Sequence, residues 1–167
     1  MRILVMSDTH RRGRVLIESV LRAQTQAEVV FFLGDFCDDI ADYRYEYTQK
    51  AFYIIRGNCD FYSEYPDRET VTLEGKRIFA VHGHNYGVKY GLDALYCAAR
   101  GEEAGICLFG HTHIPHKSYL PDPDGKKGLY LLNPGSLGLP RDSGNSSYGI
   151  IDIGAHGIEM NVVKIQR

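Results

Sequence analysis

The chain has 167 residues, 44% of them hydrophobic and 24% charged, which is enough apolar material to enclose a core in one globular domain. A formal net charge of −2 removes the basic excess that an obligate nucleic-acid binder would carry. The apolar run that ends at Met6 is too short for a signal peptide or a membrane span. A cytoplasmic address without a membrane partner is therefore expected.

In chain order, Arg2–Met6 reads as a buried parallel strand and Val15–Ala23 as a helix, with Val15, Leu16, Val20 and Leu21 near helical spacing. Val29–Leu33 and Ala51–Ile55 are two more buried runs, stopped by Gly34-Asp35 and Gly57-Asn58. Between them Tyr43, Tyr45 and Tyr47 alternate with charged residues, as a half-buried loop, an irregular strand, a substrate rim or a self-association surface would. Thr70–Leu73 and Arg77–Val81 flank Glu74-Gly75-Lys76 and predict a hairpin. A helix over Leu92–Ala99 and a buried strand at Ile106–Phe109 follow. The last third is strand-rich: Lys117–Leu120, Leu129–Leu132, Tyr148–Ile153 and Ile158–Ile165, with turn chemistry at Pro121–Gly125. The alternation of strands and helices predicts an α/β fold in a single domain spanning residues 1–167.

Five of these strands end in metal-binding residue types. They run into Asp8-Thr-His10, Gly34-Asp35, Gly57-Asn58-Cys59-Asp60, His82-Gly83-His84 and Gly110-His111-Thr112-His113. Each motif alone is weak, because D-x-H and H-x-H occur by chance. Together, at the carboxyl ends of strands, they face one crevice. Five of the seven histidines lie in these motifs, whereas His116 and His156 fit none and read as surface residues. Mixed Asp, His and Asn ligands suit Mn²⁺, Fe, Zn²⁺, Ni²⁺ or Co²⁺. A structural zinc site would favour thiolates and close at four ligands. Cys37, Cys59, Cys97 and Cys107 form no C-x-x-C pair, so reduced thiols are the simplest reading. The ligand groups are too many for one ion. Two ions bridged by one carboxylate account for the number, and a water shared between them would ionise readily.

The ordered set D-x-H, G-D, G-N-x-D, H-G-H and G-H-x-H, followed by Asn133-Pro-Gly-Ser136, resembles the calcineurin-like metallophosphoesterases, specifically their small YfcE-like phosphodiesterase branch, from residue 3 to about residue 141. The resemblance implies a four-layer α/β/β/α sandwich with two mixed sheets and flanking helices. It implies that Asp8, His10 and His113 hold one metal, that Asn58, His82 and His111 hold a second, and that Asp35 bridges both. Manganese is the expected ion. Asp35, Asn58 and His84 form the expected catalytic set, with His84 either behind the ligands or facing the phosphate, or else only a hydrogen-bonded turn residue. Arg56 and Arg141 are candidate phosphate contacts, or else solvated salt-bridge residues. Arg11, Arg12 and Arg14 could raise the local positive potential or simply face water.

Cys59 stands where many relatives have a histidine thought to protonate the leaving group. A thiol is a weak substitute, and Cys59 reads best as a packing residue. The expected activity is hydrolysis of a small phosphodiester by an enzyme that need not bind nucleic acid and could form homo-oligomers. A protein-binding scaffold like the eukaryotic retromer subunit, and a phosphomonoesterase, are the alternatives. The full ligand set argues against the first and the short chain against the second.

Overall fold

The computed structural model describes residues 1–122, 128–142 and 144–166, so part of the turn expected at Pro121–Gly125 lies outside the described residues. Ten strands build two five-stranded sheets. The first has the order β10-β9-β1-β2-β3, from β1 (Arg2–Met6), β2 (Val29–Phe32), β3 (Ala51–Ile54), β9 (Ser147–Gly154) and β10 (Gly157–Lys164). The second has the order β4-β5-β6-β8-β7, from β4 (Arg68–Leu73), β5 (Lys76–Val81), β6 (Ile106–Leu108), β7 (His116–Leu120) and β8 (Leu129–Asn133). Strands β1, β2 and β3, the last at the edge of its sheet, run parallel, as do the inner strands β5, β6 and β8 of the other sheet. β9 and β10 join the other side of the first sheet by antiparallel pairing, and β4 and β7 join the two edges of the second in the same way. Leu73 pairs with Lys76, which leaves Glu74 and Gly75, both at positive φ, as the two-residue turn of the predicted hairpin.

Alternation along the strands sets the layers. Ile3, Val5, Val29 and Phe31 face Ile78, Ala80, Ile106 and Leu108 across the space between the sheets. The intervening Leu4, Met6, Val30 and Phe32 pack outward on Ile17, Val20 and Leu21 of α1 (Arg14–Ala23). On the far side Phe79, Val81, Cys107 and Leu131 pack on Leu95 and Ala99 of α4 (Asp93–Gly101). The result is the four-layer α/β/β/α arrangement. Within α1, Val15 falls on the solvent side at 79% exposure, so the apolar stripe begins at Leu16 and Ile17.

The tyrosine segment departs from the expected loop or strand. It forms two short helices, α2 (Asp38–Ala41) and α3 (Tyr43–Glu46). Their four-residue length is too short to reveal a helical period in the sequence. Tyr43 and Tyr47, four residues apart, both pack on the outer core of the first sheet, while Tyr45 is exposed. His116 also differs from expectation. It is half-buried, its ring 5.8 Å from that of Phe109, and its Nε2 lies 2.8 Å from Ser118 Oγ. His156 is exposed, as expected.

A candidate dinuclear metal centre

The five parallel strands β1, β2, β3, β5 and β6 end at one rim, and the chain turns sharply there. Asp8, His10, Asp35, His111 and His113 all sit at φ between 45° and 67°. Left-handed backbone at non-glycine residues is uncommon, and such strain gathers at functional sites. Here it aims five side chains into one space.

The liganding atoms fall into two groups that share a carboxylate. Asp8, His10, Asp35 and His113 present atoms that all lie within 4.8 Å of one another, and so do Asp35, His82 and His111. In the first group, His113 Nε2 lies 3.2 Å from both Asp8 Oδ1 and His10 Nε2. In the second, His82 Nε2 lies 3.2 Å from both Asn58 Oδ1 and His111 Nδ1. Asp35 stands between them: its Oδ2 is 3.4 Å from His10 Nε2, and its Oδ1 is 3.5 Å from His82 Nε2.

Hydrogen bonds behind the ligands fix which ring nitrogen faces the centre. His82 Nδ1 donates to the Leu33 carbonyl at 2.6 Å, and His113 Nδ1 donates to the Leu139 carbonyl at 2.7 Å. A carbonyl only accepts, so each Nε2 is left to point a lone pair inward. Lone pairs facing each other at 3.2 Å repel unless a proton or a cation lies between them. Asp8 Oδ1 is buried in the same space with His113 Nε2 3.2 Å away, an arrangement that is costly unless a proton or a cation lies between them. The donor set therefore fits divalent metal ions.

The electrostatics agree. Burial alone would push the Asp8 carboxyl up, but the His113 hydrogen bond, the charges of His82 and His113 and the Ser7 hydroxyl hold it below its usual range. Burial opposes the charged form of His113, yet the Asp8 hydrogen bond and charge raise it overall. A cation bound there would compete with a proton for the same His113 nitrogen. His111 is lowered to about 4, first by burial and then by the charges of His82 and Lys89. His10 is lowered chiefly by burial.

Two groups that the motifs contained, but to which sequence reasoning gave no role, hold the loops. Asp60 accepts the backbone N–H of Asp35 and Gly57 on Oδ2, at 2.9 and 2.8 Å, and those of Phe36 and Cys37 on Oδ1, at 2.9 and 2.8 Å. One carboxylate thereby fastens the Asp35 turn to the Asn58 turn. Gly57 lies so close that a Cβ there would meet Asp35 Oδ1 and the Asp35 amide. Asn133 Nδ2 donates to the Gly110 carbonyl and to Thr112 Oγ1, and Ser136 Oγ donates to the Asp8 carbonyl at 2.7 Å. The Asn-Pro-Gly-Ser segment therefore pins the first and last ligand loops. The signal in sequence was a short polar residue, beside proline at Asn133, beside glycine at Ser136 and closing the Gly57–Asp60 motif at Asp60, which does not say what it binds.

The remaining expected residues differ in placement. His84 borders the centre, its ring centroid 5.4 Å from His82 and 6.0 Å from His111, with a buried Nδ1 that has no hydrogen-bond partner. Its hydrogen-bonded-turn reading thus lacks a bond at Nδ1. Burial, followed by the His82 charge, lowers its pKa. Arg56 forms a two-point pair with Asp67 at 2.7 and 2.8 Å, beside Asn58 and His84. Arg141 is exposed, and its backbone N–H donates to the His113 carbonyl. Arg11, Arg12 and Arg14 are exposed, with the Arg11 guanidinium over the Phe36 ring. Burial, followed by the Asp35 charge, pushes the Cys59 thiol up to about 12. Its backbone N–H donates to Asp35 Oδ1 at 2.8 Å.

The chain is similar to known proteins over most of its length. Probable metallophosphoesterase YsnB of Bacillus subtilis is 29% identical, covering 92% of this chain and 85% of its own length. Phosphodiesterase YfcE of Escherichia coli K12 is 28% identical, covering 91% and 88%. Among solved structures, a predicted phosphoesterase from Streptococcus pneumoniae TIGR4 superposes with a TM-score of 0.76 at 29% identity, covering 98% of this chain and 88% of the other. Zinc-bound Vps29 from Entamoeba histolytica has a TM-score of 0.69 at 19% identity, covering 98% and 99%, a likeness of fold alone. The model of the calcineurin-like phosphoesterase superfamily domain matches residues 1–156, and the chain belongs to that family.

Proposed function

We propose that the protein is a metal-dependent phosphodiesterase working on a small phosphodiester with two divalent ions, manganese foremost. The observation that carries this reading is the convergence of inward-facing ligand atoms into two groups that share Asp35. In it Asp8, His10 and His113 hold one ion, Asn58, His82 and His111 hold the other, and Asp35 bridges. Bound there, two ions would supply Lewis-acid polarisation of phosphoryl oxygens and a lowered pKa for bound water.

The chain's own groups do the rest. His82 and His113, fixed by backbone carbonyls, keep their lone pairs aimed without reorganisation. Asp60 holds Asp35 and the Asn58 turn in register. His84, which borders the centre and lines the polar cleft beside Asn58, is the candidate donor to a phosphate oxygen. Arg56 and Arg141 add positive potential on the two sides of the site. Because the Cys59 thiol is a poor acid, leaving groups of low pKa should be favoured.

The net charge of −2 suits a small diester better than a nucleic-acid backbone. A cytoplasmic address goes with this reading. The four cysteines are free, and among the described residues no helix is long and apolar enough to cross a membrane. The scaffold alternative has the shared fold behind it but leaves the buried ligand set without a purpose.

The test is kcat/KM on bis(p-nitrophenyl) phosphate and p-nitrophenyl phosphate after EDTA treatment and reloading with Mn²⁺, Zn²⁺, Ni²⁺ or Co²⁺. Diester cleavage that returns with Mn²⁺ and exceeds monoester cleavage is expected. No cleavage of either ester with any ion would overturn the reading.

A further inference from the structure

The centre has two unlike flanks. On one side Arg56, Asn58, Asp67 and His84 line a polar cleft. On the other a cleft of about 370 Å³ opens beside Thr112, the residue between ligands His111 and His113. Its walls are largely apolar: Val88, Leu92, Phe109 and Ile114. Lys89 and Arg141 also line it, and the Arg141 backbone N–H donates to the His113 carbonyl, which ties this wall to the ligand loop. His116 adds a polar edge.

We infer that this cleft receives a flat aromatic or heteroaromatic ring carried on one ester arm of the phosphodiester while its phosphate lies on the metal centre. The inference rests on the phosphodiesterase reading and narrows its substrate class. Three observations carry it. The cleft is continuous with the ligand loop through Thr112, so a group attached to a phosphate at the centre can reach it. Lys89 and Arg141 put two cations in the same cleft as the apolar walls, and Arg141 adjoins the ligand loop through the His113 carbonyl, so an anionic phosphate and an apolar ester arm both find partners there. The volume lies within the roughly 300–1,000 Å³ of small-molecule sites, and Ile114, 46% exposed, presents apolar surface that a ring would cover. A phosphomonoester could place its lone ester group there, but a diester can fill this cleft and the polar cleft together.

The test is calorimetric binding of methyl benzylphosphonate and methyl methylphosphonate to the manganese-loaded protein, wild type and the variants Ile114→Ser and Leu92→Ser, with thermal melts to confirm folding. The benzyl compound should bind the wild type at least about tenfold more tightly, as expected for burying one ring. Each variant should bring that ratio toward one. A ratio near one in the wild type, or an undiminished ratio in both variants, would overturn the inference. Hydrolysis of methyl phenyl phosphate, followed in parallel by phosphorus NMR, separates the two claims. Ring preference without hydrolysis defeats the phosphodiesterase reading and keeps the cleft. Hydrolysis without ring preference defeats the cleft alone.

Discussion

The two halves of the centre differ in charge and in depth. The Asp8 half gathers two carboxylates and two imidazoles, with Asp8, Asp35 and His113 buried. The Asn58 half has two imidazoles, a neutral and exposed amide, and only a share in Asp35. An ion in the first half faces two formal negative charges in a dry setting, where charge counts for more. An ion in the second half faces one shared charge and an open side. On the two-ion reading proposed above, this difference divides the labour: the first position would anchor, and the second would exchange and meet substrate.

The largest expected effect comes from removing the group common to both halves. Asp35→Ala should lower kcat/KM on a diester by on the order of 10³-fold or more, the equivalent of several kcal/mol of lost charge stabilisation. His113→Ala, which touches one half, should cost less. Equal, mild losses in the two variants would show that Asp35 does not bridge.

Changes behind the ligands come next. Asp60→Ala releases four backbone N–H groups, and Gly57→Ala drives a Cβ into Asp35. Each should weaken metal binding by roughly 10–100-fold, as loss of ligand-orienting contacts does. Titration of the metal-free protein with Mn²⁺ measures this, and unchanged affinity in both variants would remove Asp60 from its positioning role.

The asymmetry itself is tested by Asn58→Ala. Two binding steps are expected in the wild type, and this variant should weaken the looser step about tenfold while leaving the tighter one alone. Weakening of the tighter step would reverse the comparison.

The smallest effect is on the stability of the metal-free protein. His10, His84, His111 and His116 all have lowered pKa values, so between 6.5 and about 4 the unfolded chain binds more protons than the folded one. Stability should therefore fall as pH drops through that window. His113, raised in the fold, works in the opposite direction: its contribution is full below 6.5 and is lost as pH rises through its folded value. Four groups against one predict a lower melting temperature at pH 4.5 than at pH 7 in EDTA. A flat or inverted profile in thermal melts would contradict this.

Strand ends and ligand motifs were legible in the sequence because both repeat a local rule: an apolar run that stops at a polar ligand, with a glycine beside the ligand at Asp35, His82 and His111. Asp8, Asp35, His82 and His111 could be placed on one rim from that rule alone. Partners set by tertiary contact could not. Asp60 binds backbone groups 3 to 25 residues away, and Ser136 reaches Asp8 across 128 residues. Nothing in their spacing announces those bonds. The pairing of Arg56 with Asp67 spans a loop, and the burial of His116 follows from its position beside Phe109. Tyr43 and Tyr47 share a helical face that four residues are too few to reveal.

The central claim is that two cations share Asp35. Anomalous diffraction from manganese-soaked crystals tests it most directly. Two peaks are expected about 3.5–4 Å apart, one among Asp8, His10 and His113 and the other among Asn58, His82 and His111, with Asp35 reaching both. One peak alone at saturating manganese, or none within reach of Asp35, would contradict it.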